Sequence, residues 1–373
     1  YEILIGLVGS EMCIRDRTSA MQKQKIIISQ NLRESLEQAI IQQPHDKLFV
    51  LTDETTYKKC WPVISGFPSM QQSEHIVIGA TDEHKSIETL ISVWTELSQK
   101  GGTRHSLLVN LGGGMVTDLG GFAASTFKRG IPYINIPTTL LAMVDAAVGG
   151  KTGINFNGLK NEIGAFTPAA SVLLDTEFLR TLDYKNICSG YAEMLKHGLI
   201  STEKHWAELV SFDLDDIDYL RLQEMVAQSV AIKENIVAQD PYEQGIRKAL
   251  NLGHTAGHAL ESLALAEERT VLHGYAVAWG LVCELYLSCL REDFPKDKLR
   301  QTTDFIKRYY GVFPFDCKAY ETLYQFMTHD KKNTSGEVNF TLLGGIGDIR
   351  INRTAGKDEI FNMLDFYRET MGC

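Results

Sequence analysis

No window of this chain holds the roughly 18 uninterrupted apolar residues that a membrane-spanning helix requires, and no two of its cysteines stand in a CxxC pair. The first absence argues against a membrane protein. The second argues against a cysteine-rich zinc site, and the scatter of Cys13, Cys60, Cys188, Cys283, Cys289, Cys317 and Cys373 reads as reduced, cytoplasmic usage rather than a disulfide framework. Positive charge is also in short supply. The net charge of −10 over 373 residues excludes the broad basic face of a general nucleic-acid binder, though not a locally basic pocket for an anionic small molecule. Internal repeats and low-complexity linkers are missing as well. So is a secretory signal: Tyr1–Val8 is apolar, but the segment Gly9–Arg17 carries charges where a small-residue cleavage site should stand. Residues 1–20 read as a non-native or disordered leader, because Glu11–Asp16 resembles a translated sequencing adapter. Met21 is the preferred start.

What is present is ordinary globular composition, 44% hydrophobic and 23% charged, at a length that favours two domains. Short apolar runs at Lys25–Ile28, Leu48–Leu51, His75–Ile78, Leu107–Asn110, Tyr133–Ile136 and Val172–Leu174 predict strands buried on both faces. Leu32–Ile41 and Ile87–Leu97 carry apolar residues at helical spacing between them. This alternation predicts an α/β domain with a mainly parallel sheet over residues 21–180. Beyond about 180 helical patterns take over (Ile187–Ile200, Leu220–Ala238, Thr255–Ala266, Tyr275–Cys289), and only Asn339–Leu343 suggests a further strand. Residues 181–373 are therefore expected to form a mainly α-helical domain, with a ligand crevice between the two halves.

Several constellations carry chemistry. Leu107–Asn110 runs into Gly112, Gly113 and Gly114 and then a helical pattern, the arrangement that lets backbone N–H groups and a helix N-terminus meet a pyrophosphate. Three glycines are a weak signal alone, and a plain tight turn fits as well. Asp53, at a strand end, suits a ribose contact or a helix cap, and the cap is the commoner use. Glu193 lies in an apolar helical segment, where a bare carboxylate is costly. His254 and His258 stand four residues apart on one helix face, and His273 opens the next helix. Two histidines and a carboxylate suit a catalytic divalent ion with open positions, without the glutamate of HExxH proteases. Lys151 and Lys160–Asn161 sit among glycines, in what reads as loops able to meet a phosphate or carboxylate. Arg129, Lys196, Lys233 and Arg247 lie near these stretches; for each, a solvated surface charge is the commoner state.

The segments Gly112–Gly130, Pro137–Asp145, Gly149–Asn155, Gly158–Phe166, Ala192–Lys196, Arg247–Glu261 and Leu272–Gly274 resemble those of 3-dehydroquinate synthases, members of the sugar-phosphate cyclases. The resemblance runs from about residue 22 to the C-terminus. It implies a Rossmann-like NAD-binding N-terminal domain, a helical metal-binding C-terminal domain, and a homodimer. It also implies a lyase that converts 3-deoxy-D-arabino-heptulosonate 7-phosphate to 3-dehydroquinate and phosphate, with NAD and one divalent ion (Zn or Co) as cofactors. The chemistry would be transient oxidation, β-elimination of phosphate, reduction, ring opening and an internal aldol closure. Glu193, His254 and His273 match the metal ligands. Lys151, Asn161, Lys196, Lys233, Arg247, Asn251 and Arg129 match substrate-contacting positions, with Arg129 a candidate to reach across a subunit interface. His258 matches a proton-handling position and Asp145 a carboxylate near the cofactor. Asp53, Lys85, Gly113, Gly114, Met115, Asp118, Thr138, Thr139, Lys151 and Lys160 match NAD-contacting positions. Where the family usually reads Gly-Glu-x-x-Lys, this chain has Thr81, Asp82, Glu83, His84 and Lys85, so Asp82 stands for the usual Glu and Glu83 is its alternative. Lys331, with Lys332, resembles the family's late lysine pair, one of which faces the phosphate. The intact Lys151 and Lys160–Asn161 segments favour dehydroquinate synthase over valiolone- or inosose-forming cyclases and over metal-dependent polyol dehydrogenases.

Overall fold

The computed structural model describes residues 24–328 and 338–373. Residues 1–23, with the expected leader and Met21, and 329–337, with Lys331 and Lys332, lie outside the described residues. The apolar runs form a six-stranded sheet: β1 (Lys25–Ile28), β2 (Leu48–Asp53), β3 (Glu74–Ile78), β4 (Leu107–Gly112), β5 (Tyr133–Pro137) and β8 (Ser171–Leu174). The spatial order is β1-β8-β5-β4-β2-β3, and every pairing is parallel. Strands β2, β4, β5 and β8 are buried at every residue, as continuous Val/Ile/Leu-rich runs covered on both faces require. Helices α1 (Leu32–Ile41), α2 (Ile87–Gln99) and α3 (Gly114–Thr126) fill the crossovers. From β2 the chain steps outward to β3, then returns to the other side of β2 with β4. The switch point therefore lies between β2 and β4, where open α/β sheets bind ligands at the strands' carboxyl ends. Asp53 and Gly112 are those ends.

Two segments differ from the sequence expectation. Lys151, Lys160 and Asn161, expected in loops, lie in an antiparallel hairpin of β6 (Lys151–Phe156) and β7 (Leu159–Phe166). Asn157 and Gly158 make its turn with φ of 50° and 77°, the two-residue geometry that Asn-Gly favours because both central residues need positive φ. The strands approach so closely that a Cβ on Gly164 would stand 2.0 Å from the Thr152 carbonyl oxygen. Glycine there hides a strand from any reading based on apolar alternation. Likewise the predicted strand near residue 340 is β9 (Val338–Gly345), and it has an antiparallel partner, β10 (Asp348–Ala355). The burial of β10 follows no clean alternation.

The second half is built from helices, chiefly α4 (Tyr184–Leu199), α5 (Tyr219–Gln239), α6 (His254–Ala266) and α7 (His273–Arg291). Asp183 caps α4 by accepting the Asn186 N–H, and Asp218 caps α5. Small residues bring these helices together. A Cβ on Gly274 would meet the Ser189 carbonyl oxygen of α4 at 1.8 Å, and one on Gly280 would meet the Gly253 carbonyl oxygen at 2.0 Å. The Gly274 N–H donates to Ser189 Oγ at 3.1 Å. The start of α7 is thus pressed onto α4 one turn before Glu193.

Candidate active site

Glu193 is fully buried in the middle of α4. One of its oxygens, Oε2, accepts a hydrogen bond from Lys196, one helical turn on. The other, Oε1, has no hydrogen-bond partner, yet it faces His254 Nε2 at 3.4 Å and His273 Nε2 at 3.5 Å. These separations are long for charge-assisted hydrogen bonds. They match donors sharing an ion, since two ligand atoms each about 2.1 Å from a tetrahedral metal stand about 3.4 Å apart. Both rings are oriented from behind: His254 Nδ1 lies 3.1 Å from the Leu252 carbonyl oxygen, and His273 Nδ1 lies 3.4 Å from Glu261 Oε2. Donating N–H through Nδ1 leaves each Nε2 lone pair facing Oε1. An orphaned buried carboxylate oxygen and two converging imidazoles fit a divalent cation. The charges agree. Burial pushes the Glu193 carboxyl up, but Lys196 and the two histidines outweigh it and hold it well below the usual range. Burial lowers His254 to about 4. For His273, the flanking Glu193 and Glu261 overcome burial and raise it to about 10, so two carboxylates favour positive charge at this position. His258 completes a cluster of imidazoles, its ring centroid 5.3 Å from His254 and 5.9 Å from His273.

The remaining predicted residues fall into groups around this centre. Lys233, buried on α5, donates to both Asp145 Oδ1 and its carbonyl oxygen at 2.5 Å. Burial lowers Lys233 and would raise Asp145, but the pairing holds the Asp145 carboxyl below its usual range. Lys233 and Asp145 both sense the charges of Glu193 and Lys196, so they adjoin the metal cluster. Arg247 is 3% exposed. It donates Nη1 to the Pro241 carbonyl oxygen at 2.6 Å, while its buried Nε has no partner. Lys151 pairs with Glu243 at 2.6 Å, and Asn251 donates to the other oxygen of the same carboxylate at 2.9 Å. Glu243 and Asn251 line a cleft of about 340 Å³ with Lys248, Thr255 and residues of β9 and β10.

On the sheet side, Gly113 caps α3 and Gly114 opens it. Each is packed too tightly for a free Cβ, which would stand 3.1 Å from Thr139 and 3.2 Å from Ala146. Thr138 donates its N–H to the Gly112 carbonyl oxygen, Thr139 Oγ1 accepts the Ala142 N–H, and Met115 is half-buried beside them. Buried Lys85 bridges Asp118, at 2.5 Å, and the Asn161 side-chain oxygen. Burial raises the Asp118 carboxyl despite Lys85. Asp82 accepts from Asn155 of the hairpin at 3.2 Å. Asp53 acts as the helix cap that its position suggested, accepting the Thr55 and Thr56 N–H groups. Lys160 reaches from the hairpin to Glu261 on α6 at 2.7 Å. Arg129 stands apart in a left-handed backbone conformation, φ 69°, and no hydrogen bond or ion pair joins it to these residues.

Sequence reasoning gave no role to Glu243 or Glu261. Glu261 was legible, three residues after His258 on the same helix face. Glu243 lies on a turn between α5 and α6 and left no pattern. Glu284 was also missed. It is fully buried on α7 and accepts the Gly253 and Ala256 N–H groups at 2.6 and 3.0 Å, so it caps the helix that begins with His254. No local motif could reveal a cap supplied from 28 and 31 residues downstream.

Comparison with known proteins accords with this layout. The family model for the 3-dehydroquinate synthase N-terminal domain matches residues 75–189, and that for its C-terminal domain matches residues 190–333. A 3-dehydroquinate synthase of Parabacteroides distasonis is 55% identical over 352 residues, covering 94% of this chain and all of the relative. Among solved structures, the 2-epi-5-epi-valiolone synthase of Streptomyces hygroscopicus, with NAD⁺ and Zn²⁺ bound, superposes with a TM-score of 0.80 at 25% identity, over 93% of this chain and 97% of that one. A 2-deoxy-scyllo-inosose synthase complexed with carbaglucose-6-phosphate, NAD⁺ and Co²⁺ gives the same TM-score at 22% identity, over 92% of this chain and 96% of that one, and so shares the fold. Two family models that together cover residues 75–333, and a full-length relative at more than half identity, lead to one conclusion: this chain belongs to the 3-dehydroquinate synthase family.

Proposed function

We propose that this enzyme converts 3-deoxy-D-arabino-heptulosonate 7-phosphate to 3-dehydroquinate and phosphate, with Glu193, His254 and His273 holding a divalent ion and the β2–β4 switch point holding NAD. The observation that carries the reading is the pair of Nε2 atoms facing the unpartnered Glu193 Oε1, among basic side chains suited to an anionic sugar. When bound, the ion would polarise substrate oxygens as a Lewis acid and NAD would take and return a hydride, so no net oxidation occurs.

The chain's own residues do the rest. Arg247, with a free buried Nε, and Lys233 receive substrate anions, and Lys151 and Asn251 exchange their Glu243 contacts for substrate oxygens. Lys196 keeps Glu193 ionised. His258, beside both ligand histidines, moves protons at the reacting carbons, and Asp145 holds Lys233 in place. Gly113, Gly114, Thr138 and Thr139 form a cradle for the cofactor phosphates at the start of α3, with Met115, Asp118, Lys85, Asp82, Asp53 and Lys160 around it. The family's homodimer would let Arg129 serve a neighbouring site, and the scattered cysteines suit a cytoplasmic enzyme.

Incubated with the heptulosonate phosphate, the purified protein is expected to release phosphate and dehydroquinate in equal amounts without accumulating NADH. Chelation should stop it, and Zn²⁺ or Co²⁺ should restore it. Phosphate release that survives thorough chelation removes the metal from the reaction. Steady NADH production from a simple polyol identifies a dehydrogenase instead. Turnover of a heptulose phosphate lacking the carboxylate, with none of the heptulosonate, identifies a different cyclase.

A further inference from the structure

Glu261 sits on α6 with its two carboxylate oxygens divided between partners. Oε2 faces His273 Nδ1 at 3.4 Å, and Oε1 accepts from Lys160 Nζ at 2.7 Å. Lys160 belongs to β7, in the hairpin that projects from the sheet-bearing half, so a single carboxylate joins that hairpin to a histidine of the metal cluster. The two ring nitrogens of His273 are thereby assigned, Nδ1 to Glu261 and Nε2 to the space before Glu193 Oε1. His254 gets the same orientation from the backbone carbonyl of Leu252, two residues before it, which has no rotatable side-chain bonds to swing on. His273 depends on a side chain that three rotatable bonds could swing away.

We propose that Glu261 is a positioning residue for His273, fixing its Nδ1–H tautomer and ring plane, and that Lys160 holds Glu261 in that pose and so couples the seating of the hairpin to the quality of the metal site. The proposal rests on the reading of Glu193, His254 and His273 as metal ligands. A carboxylate behind a ligand imidazole raises its basicity and fixes its direction, and loss of such a partner typically weakens metal binding about 10–100-fold. The lysine adds a lock. Its ammonium offers three N–H groups, so after one goes to Glu261 two remain for another acceptor. Lys160 can therefore meet a cofactor oxygen without releasing Glu261, and a hairpin seated on cofactor also steadies His273. The same three groups, His258, Glu261 and His273, lie close enough together to hold an ion of their own. Under the present proposal Glu261 instead serves the ion at Glu193, and the protein takes up one metal per chain.

The test measures metal itself. Metal-free full-length protein is titrated with Co²⁺, read by visible d–d absorption, and with Zn²⁺ in competition with a chelator. Glu261→Ala is expected to bind about 10–100-fold more weakly, with altered Co²⁺ bands. Glu261→Gln, whose carbonyl still accepts the Nδ1–H, should lose less, and it tests the idea even if the alanine variant folds poorly. Lys160→Ala should show a smaller loss than Glu261→Ala, and the double variant should lose no more than Glu261→Ala alone. Unchanged affinity and spectrum in both Glu261 variants overturn the proposal while leaving the metal reading intact, as do two tightly bound ions per wild-type chain. Additive losses in the double variant overturn the lysine's part. A wild-type protein that takes up neither ion overturns the metal reading and this proposal with it.

Discussion

At the scale of single residues, three side chains make distinct expectations. Thr81 holds φ 81° and ψ 159°, a region that costs a β-branched residue dearly. The family resemblance places glycine there. Thr81→Gly is therefore expected to raise stability by about 1–2 kcal/mol, seen as a higher denaturation midpoint with unchanged slope; a lower midpoint would show that the threonine makes compensating contacts. Arg247→Met removes the buried guanidinium whose Nε lacks a partner. Charged hydrogen bonds are worth about 1.5–3 kcal/mol, so kcat/KM should fall about 10–100-fold, and wild-type kinetics in that variant would place the substrate elsewhere. The third residue is His75. Its ring packs on Trp61 at 3.8 Å, and both nitrogens are buried without partners. Burial, aided by Lys100, lowers its proton affinity in the folded state. The unfolded chain then binds the proton more readily, so this contribution to stability is complete above about pH 6.5 and fades as pH falls below it. Between pH 7.5 and 5.5 the melting temperature of wild type should drop further than that of His75→Phe. Of these features only the Thr81 departure could be read from sequence, because strain and an unpartnered side-chain nitrogen exist only in the folded structure.

At the scale of elements, legibility followed hydrophobic periodicity. The doubly covered strands β2, β4 and β5 announced themselves as apolar runs, and α4 to α7 did so by helical spacing. The hairpin did not: glycines at 153, 158 and 164 interrupt its alternation, and exposed Leu159 and Phe166 give no inward face. Its one sequence mark was Asn157-Gly158, a turn that went unread among glycines taken for a loop. Gly164→Ala tests the element directly. Its Cβ would collide with backbone rather than with a yielding side chain, so the hairpin must open. Overpacking of this kind costs about 1–3 kcal/mol, and affinity for NAD, followed by fluorescence quenching, should weaken along with thermal stability. Unchanged NAD affinity would detach the hairpin from the cofactor.

At the scale of the whole molecule, the sequence marked the three residues that the fold gathers better than it marked their carboxylate partners. Glu193 comes from a helix far upstream of the adjacent helices that carry His254 and His273, yet spacing and small neighbours marked all three, because helices can only meet this closely through glycine. Glu243 and Glu284 are partners chosen by tertiary packing, and no local pattern encodes that choice; Glu261 alone left a trace, its helical spacing from His258. If Arg129 completes the site of a second subunit, mixing Arg129→Ala with Glu193→Ala protein, each inactive alone, should restore about a quarter of full activity, since half of randomly paired dimers carry one intact site of two. No recovery after subunit exchange would assign Arg129 to its own chain.

The ion pairs described above share a further property. Lys85, Lys151, Lys160, Lys196 and Lys233 each rest against a carboxylate of the same protein. The cleft thus carries its own counter-ions, and the empty protein can fold without gathering bare positive charge. At Lys151 an anion then enters by exchange, taking up the ammonium group as Glu243 swings aside, while the other pairs hold their lysines in place. A cleft that neutralises itself has little far-reaching pull on its substrate, and recognition becomes a matter of which anion can displace a resident one.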